Sequence, residues 1–154
     1  MSQQLVIYTD GSARGNPGPG GYGAILMWGN QRKELSQGYR KTTNNRMELL
    51  AVIAALKTLK KDGLDVVIYS DSSYVINSVE KRWVFNWVKT GFKDKKNADL
   101  WRIFLSLYSK NKIRFVWVKG HADNPFNNRC DELATAAADS GNWLVDEEYE
   151  RVNV

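Results

Sequence analysis

The chain has 154 residues, 43% apolar and 25% charged, which fits one ordinary soluble domain spanning 1–154 and argues against wholesale disorder. A single cysteine, Cys130, excludes an internal disulfide and any multi-cysteine zinc site, and a single histidine, His121, excludes a two-histidine metal site. Lys and Arg number 22 against 17 Asp and Glu, a net charge of +5 that favours a polyanionic partner.

Taken in chain order, residues 4–10 are rich in β-branched and aromatic types and predict a strand. Residues 11–21 are dominated by Gly and Pro and predict a loop. Residues 21–28 and 31–41 predict strands joined by Gly29-Asn30, a two-residue hairpin turn with Gly first. Leu49, Val52, Ile53, Leu56 and Leu59 recur on one helical face, so 43–61 predicts a helix stopped by Asp62-Gly63. Residues 64–70 form an apolar strand suited to a central parallel position. One or two short helices follow over 72–88, then a basic loop over 90–97. A helix over 98–109 turns Leu100, Ile103, Phe104 and Leu107 inward. A strand over 113–119, a loop over 120–125 and an alanine-rich helix over 127–139 complete the pattern. The tail after Gly141 is acidic and carries no clear signal. The order is that of an α/β protein with a five-stranded mixed sheet, three antiparallel strands and then parallel ones, flanked by helices.

Nothing in the chain reads as a targeting or spanning segment. Met1-Ser2-Gln3-Gln4 lacks a basic stretch before an apolar one. The longest apolar run, 49–56, is far short of the ~18 residues a membrane helix needs. The expectation is a soluble, cytoplasmic monomer with no membrane partner.

Charge is unevenly placed. Residues 1–88 carry 11 basic and 7 acidic groups, 89–119 carry 9 and 2, and 121–154 carry 2 and 8. A basic stretch is commonly a solvated face. Here Trp83, Trp87 and Phe92 interleave with Lys81, Arg82, Lys89, Lys93, Lys95 and Lys96, which suits stacking beside phosphates. The two tryptophans are equally well read as core residues of a short helix.

The first strand ends Val6-Ile7-Tyr8-Thr9-Asp10 and the fourth ends Val67-Ile68-Tyr69-Ser70-Asp71, almost one pentapeptide written twice. If the two strands lie parallel and adjacent, Asp10 and Asp71 meet at one sheet edge, where open α/β sheets bind ligands. Close carboxylates repel, so one takes a proton or a cation sits between them. Each Asp alone is an ordinary turn opening. Glu48 lies early in the long helix, where Asn45 with Glu48 reads as a capping box, and Asp131 lies early in the last helix, where an acid complements the dipole. Together the four acids would form a hard, oxygen-rich pocket suited to Mg²⁺ or Mn²⁺, and two such ions ~3.5–4 Å apart clamp an in-line phosphoryl displacement.

Gly18-Pro19-Gly20-Gly21-Tyr22-Gly23 matches a dinucleotide-binding pattern literally. That site needs a helix next, and Ala24-Ile25-Leu26-Met27-Trp28 reads as a strand, so the nucleotide reading is rejected.

Six segments, in order, carry a resemblance to a known family: Thr9-Asp10-Gly11-Ser12, 15–23, Thr42-Thr43-Asn44-Asn45-Arg46-Met47-Glu48-Leu49, Ser70-Asp71-Ser72-Ser73-Tyr74-Val75, Trp117-Val118-Lys119-Gly120-His121-Ala122 and Asn128-Arg129-Cys130-Asp131-Glu132-Leu133-Ala134. The chain resembles the bacterial type 1 ribonucleases H from residue 5 to about 140. The resemblance implies the ribonuclease H-like fold. It implies an endonuclease that cuts the RNA strand of an RNA–DNA hybrid and leaves 5′-phosphate and 3′-hydroxyl ends. It implies two Mg²⁺ ions, with Mn²⁺ as a substitute, held by Asp10, Glu48, Asp71 and Asp131, and His121 as an auxiliary in proton transfer or product release.

The same resemblance extends to the substrate. Asn16, Asn44 and Asn45 match residues that read the hybrid's minor groove, where the RNA 2′-hydroxyl is accessible. Ser73 stands where the family often has Gln, and is shorter. Lys41, Thr43 and Asn86 match a DNA-phosphate pocket, with Lys41 a point charge where Arg is common. Thr43 and Asn44 also read as helix caps. The stretch about 81–97, with Trp83, Trp87, Lys89, Lys93, Lys95 and Lys96, matches the family's basic handle in a shorter form, and the acidic tail 141–154 has no strong match. Two other readings stay open: another nuclease of the same fold, and a hybrid-binding module without catalysis.

Overall fold

A computed structural model describes residues 4–119 and 124–152. The elements run β1 (Leu5–Ala13), β2 (Gly18–Trp28), β3 (Gln31–Thr42), α1 (Asn44–Lys57), β4 (Asp65–Ser70), α2 (Ser73–Glu80), α3 (Trp83–Lys89), α4 (Ala98–Tyr108), β5 (Lys112–Trp117), α5 (Pro125–Asp139), β6 (Trp143–Leu144) and α6 (Glu147–Val152). The sheet order is β5-β4-β1-β2-β3-β6. β1, β2 and β3 pair antiparallel, while β4 pairs parallel with β1 and β5 parallel with β4. Among the described residues no helix is long and apolar enough to cross a membrane.

The mixed α/β sheet is the expected one with one strand more. Trp143 and Leu144 pair parallel with Gly38 and Tyr39 on the outer edge of β3. Two residues are too few to show alternation, so the sequence carries no sign of them. They cover part of an edge that would otherwise offer unpaired backbone groups.

The Gly-rich segment expected as a loop is mostly strand. Ser12 pairs with Gly21 and Ala13 with Gly20, so only 14–17 turn. The glycines serve a second purpose: a Cβ at Gly21 would lie 2.6 Å from the Ala134 carbonyl oxygen, and one at Gly23 would meet the Cys130 carbonyl oxygen. They let α5 lie directly on the sheet. The hairpin turn is as expected, with Gly29 at φ 60°.

Helix α1 is shorter than expected. Thr43 is its N-cap and accepts from the Arg46 N–H at 3.2 Å, a bond worth about 1 kcal/mol. Asn45 therefore lies inside the first turn, and the Asn45–Glu48 capping box does not form. In α4, Leu100 and Phe104 are buried as expected, but Trp101 is fully buried and Ile103 is exposed. α5 starts two residues early because Asn124 caps it and Pro125 suits the first turn.

A large apolar cluster joins Leu5 and Ile7 of β1 to α1, α2 and α4, and a smaller one joins Tyr8 and Ile25 to Cys130 of α5. Helices thus cover both faces of the sheet. We expect Gly23→Ala to cost about 1–3 kcal/mol by forcing α5 off β2. Urea denaturation checks this, and an unchanged midpoint would contradict it.

Candidate active site

The twin pentapeptides lie in register: Val6 pairs with Val67, Ile7 with Ile68 and Tyr8 with Tyr69. The two tyrosine rings stack at 4.6 Å, inclined by 10°. Asp10 and Asp71 stand at the same offset beyond these partners, so the sheet carries both to one edge. α1 brings the third acid. A Cβ at Gly11 would overlap the Glu48 backbone nitrogen, so only glycine lets this turn of α1 rest against β1 beside Asp10.

Asp10, Glu48 and Asp71 each place a carboxylate oxygen within 4.8 Å of the others. Glu48 Oε1 and Asp71 Oδ1 are buried without a hydrogen-bond partner among the described residues. Unpaired buried acceptors are costly, and a cation is the natural partner for three carboxylates. The donors are all hard oxygens, which fits Mg²⁺ or Mn²⁺.

The electrostatics agree. Burial, then the charge of Asp71, push the Asp10 carboxyl up to about 7. Burial, followed by the charges of Asp10 and Asp71, raises Glu48 well above its ordinary range. Asp71 is raised by burial and by Asp131. Asp131, exposed on α5, is outside the close trio, yet its charge acts on both aspartates. Of the four expected acids, three converge tightly and the fourth stands at the rim. His121 lies outside the described residues.

Of the expected substrate residues, Asn16, Thr43, Asn44 and Asn45 meet at the start of α1, whereas Ser73 and Asn86 stand on α2 and α3. Asn16 Oδ1 accepts from the Asn44 N–H at 3.0 Å, and Asn44 Oδ1 accepts from the Ala13 N–H. Asn45 is exposed on the first turn. Lys41 is exposed at the end of β3, Ser73 at the start of α2 and Asn86 on α3. A cleft of about 590 Å³ gathers Asn16, Thr43 and Asn45 with Lys95 and Lys96.

The two readings of the basic stretch divide by residue. Trp87 packs edge-on against the buried Trp101 at 6.1 Å, and Phe92 is buried, so both belong to the core. Trp83 is 43% exposed with the Lys81 ammonium over its ring. Lys89, Lys93, Lys95 and Lys96 are all exposed. The tail holds what the sequence did not reveal: Asp146 is buried against Arg46, and Arg40 pairs with Glu150. These partners lie about a hundred positions apart, beyond the reach of any local signal.

The chain matches the RNase H family over residues 2–139. A protein named Ribonuclease H from Syntrophus aciditrophicus (strain SB) is 49% identical over 152 residues, covering 96% of this chain and 87% of that one. LC9-RNase H1, described as a type 1 RNase H with the type 2 active-site motif, matches with a TM-score of 0.81 at 29% identity, over 100% of this chain and 82% of that one. LC11-RNase H1, solved in complex with an RNA/DNA hybrid, matches with a TM-score of 0.67 at 28% identity, over 88% of this chain and 97% of that one.

A carboxyl that ionises near 3.8 in the unfolded chain and near 7 in the native one stabilises the fold fully below pH 4. That contribution is lost as pH rises through 7. In metal-free buffer, Asp10→Asn should therefore be more stable than the parent at pH 8, by on the order of 2 kcal/mol, and the gap should close towards pH 4. Urea denaturation with EDTA at several pH values measures it; a variant less stable than the parent at pH 8 would refute the account.

Proposed function

The chain belongs to the ribonuclease H family and is a ribonuclease H, and from that premise we propose that it cuts the RNA strand of RNA–DNA hybrids by two-metal hydrolysis. The observation that carries the metal site is the meeting of three carboxylate oxygens within 4.8 Å, two of the acids bearing unpaired buried oxygens. Asp10, Glu48 and Asp71 would hold the ions, with Asp131 completing the set from the rim. Two Mg²⁺ or Mn²⁺ ions held there would supply Lewis-acid chemistry, lowering the pKa of the attacking water and offsetting charge on the leaving 3′ oxygen.

Hydrolysis forms a bond from water oxygen to phosphorus and breaks the bond from phosphorus to the 3′ oxygen. The products are a 5′-phosphate and a 3′-hydroxyl. No side chain need act as nucleophile. Cys130, the only thiol, is buried and its ionisation is strongly disfavoured by that burial. His121, which precedes α5 in the chain, would pass a proton or aid product release, as suits an imidazole near neutral pH.

The hybrid would lie across the start of α1. Asn16, Asn44 and Asn45 would meet its minor groove, where width and the 2′-hydroxyl separate hybrid from DNA duplex. Ser73 would touch the groove with less reach than a longer amide. Lys41, Thr43 and Asn86 would take a DNA phosphate, though Thr43 Oγ1 already caps α1. The exposed Trp83 and the lysines at 89, 93, 95 and 96 would grip the DNA strand farther away, while Trp87 acts as the handle's root in the core. Support for a hybrid ligand comes from LC11-RNase H1, whose structure contains one.

A Mg²⁺-dependent assay on a labelled RNA–DNA hybrid tests the reading. The parent should cut the RNA strand and spare DNA duplex, and Asp10→Asn should cut at least a hundredfold more slowly. Binding of the hybrid without cleavage would refute it. Replacing Lys89, Lys93, Lys95 and Lys96 together by Ala should weaken hybrid binding and flatten its salt dependence by a slope of about 3–4. An unchanged slope would reject the handle.

A further inference from the structure

The ribonuclease reading leaves one buried cation and the C-terminal tail without a role. Arg46 is the third residue of α1, two before Glu48, and is 4% exposed. Its guanidinium is gripped from two sides. Nη1 and Nη2 donate to the Asp99 carboxylate at 2.9 and 2.7 Å. Nε and Nη2 donate to Asp146 at 2.7 and 2.9 Å. Asp146 also accepts from Thr42 Oγ1 at 2.7 Å, which ties the end of β3 into the same knot.

The partners come from separate parts of the chain. Asp99 opens α4, directly after the basic segment 89–97. Asp146 stands in the tail between β6 and α6, and β6 is itself fastened to β3 by backbone pairing. Thus one guanidinium joins the carboxylate-bearing helix, the root of the basic segment and the tail. A planar fork bonded in pairs to two carboxylates tolerates little displacement, unlike a lone ammonium. Arg46 also lines the cleft that gathers Asn45 with Lys95 and Lys96.

We propose that Arg46, held by Asp99 and Asp146, is a positioning residue that sets the spacing between the cutting carboxylates and the basic segment, and that Asp146 thereby ties the tail to substrate binding. This rests on the ribonuclease reading. Arg46 touches no reacting atom in it. It acts by fixing where Asn45 and the lysines stand relative to Glu48, so its loss should tell on hybrid affinity before it tells on the chemical step.

The test compares Asp146→Asn with Glu147→Gln in steady-state cleavage of an RNA–DNA hybrid with Mg²⁺. Each variant is kept at a temperature where circular dichroism shows it folded. Both remove one negative charge from the tail, but Glu147 is exposed and takes no part in the knot. A simple charge effect would lower KM in both, since a polyanion is then repelled less. Positioning predicts that Asp146→Asn raises KM threefold or more with kcat within twofold, while Glu147→Gln leaves KM level or lower. Arg46→Lys, which keeps the charge and loses the fork, should raise KM in the same way, and it carries the test if Asp146→Asn does not fold. An unchanged or lowered KM in these variants, or a fall in kcat alone, would overturn the inference. A parent chain that cuts no hybrid would overturn the ribonuclease reading, and the inference with it.

Discussion

Mutual repulsion among carboxylates buried at one edge of a sheet is the constraint on which the rest of this structure depends. Asp10, Glu48 and Asp71 are held close by three independent elements, and each is harder to ionise than a free acid. A fold seeking stability alone would separate them or replace one by an amide. The arrangement makes physical sense when divalent cations neutralise it, and hydrolysis at a phosphodiester uses the same charge distribution. The same closeness that raises the three carboxyls also makes them a group that could hold a metal ion.

That geometry needs backbones closer than side chains normally permit. Gly11 lets α1 settle on β1 beside Asp10, and Gly21 and Gly23 let α5 settle on β2. α5 carries Asp131, so the glycines on β2 also set how near the fourth acid stands. The segment that mimics a dinucleotide-binding loop is thus rich in glycine for helix-on-sheet contact. Its resemblance to a phosphate cradle is a coincidence of composition.

Around this centre the charges are arranged in opposition. The basic segment is exposed, while much of the acidic tail is engaged with arginines: Asp146 with Arg46, and Glu150 with Arg40. These pairs fasten the tail to β3 and α1 and offset part of its negative charge. Buried ion pairs are weak evidence for stability, since desolvation offsets much of their attraction, so a geometric role is the better account of Arg46.

Much of this was legible in the order of residues, and the legible part has a common cause. The paired strands announced themselves because Val-Ile-Tyr precedes each aspartate, and identical preambles in parallel strands align in register. The helices showed through their apolar spacing, and Asp10 and Asp71 through their place at strand ends. What misled was chemistry with two uses. Glycine marks turns, but in β2 it admits a helix; Asn45 before Glu48 imitates a cap, but Thr43 holds that post. Tryptophans among lysines looked alike on paper, yet Trp87 is core and Trp83 is surface. Periodicity and strand-end position depend on neighbours within a few residues, so five of the strands, the main helices and the candidate acids could be read from the order of residues alone. Only the tertiary structure could decide the sixth strand, the rim position of Asp131 and the Arg46 knot, because each rests on partners distant in the chain whose meeting is set by how the layers pack.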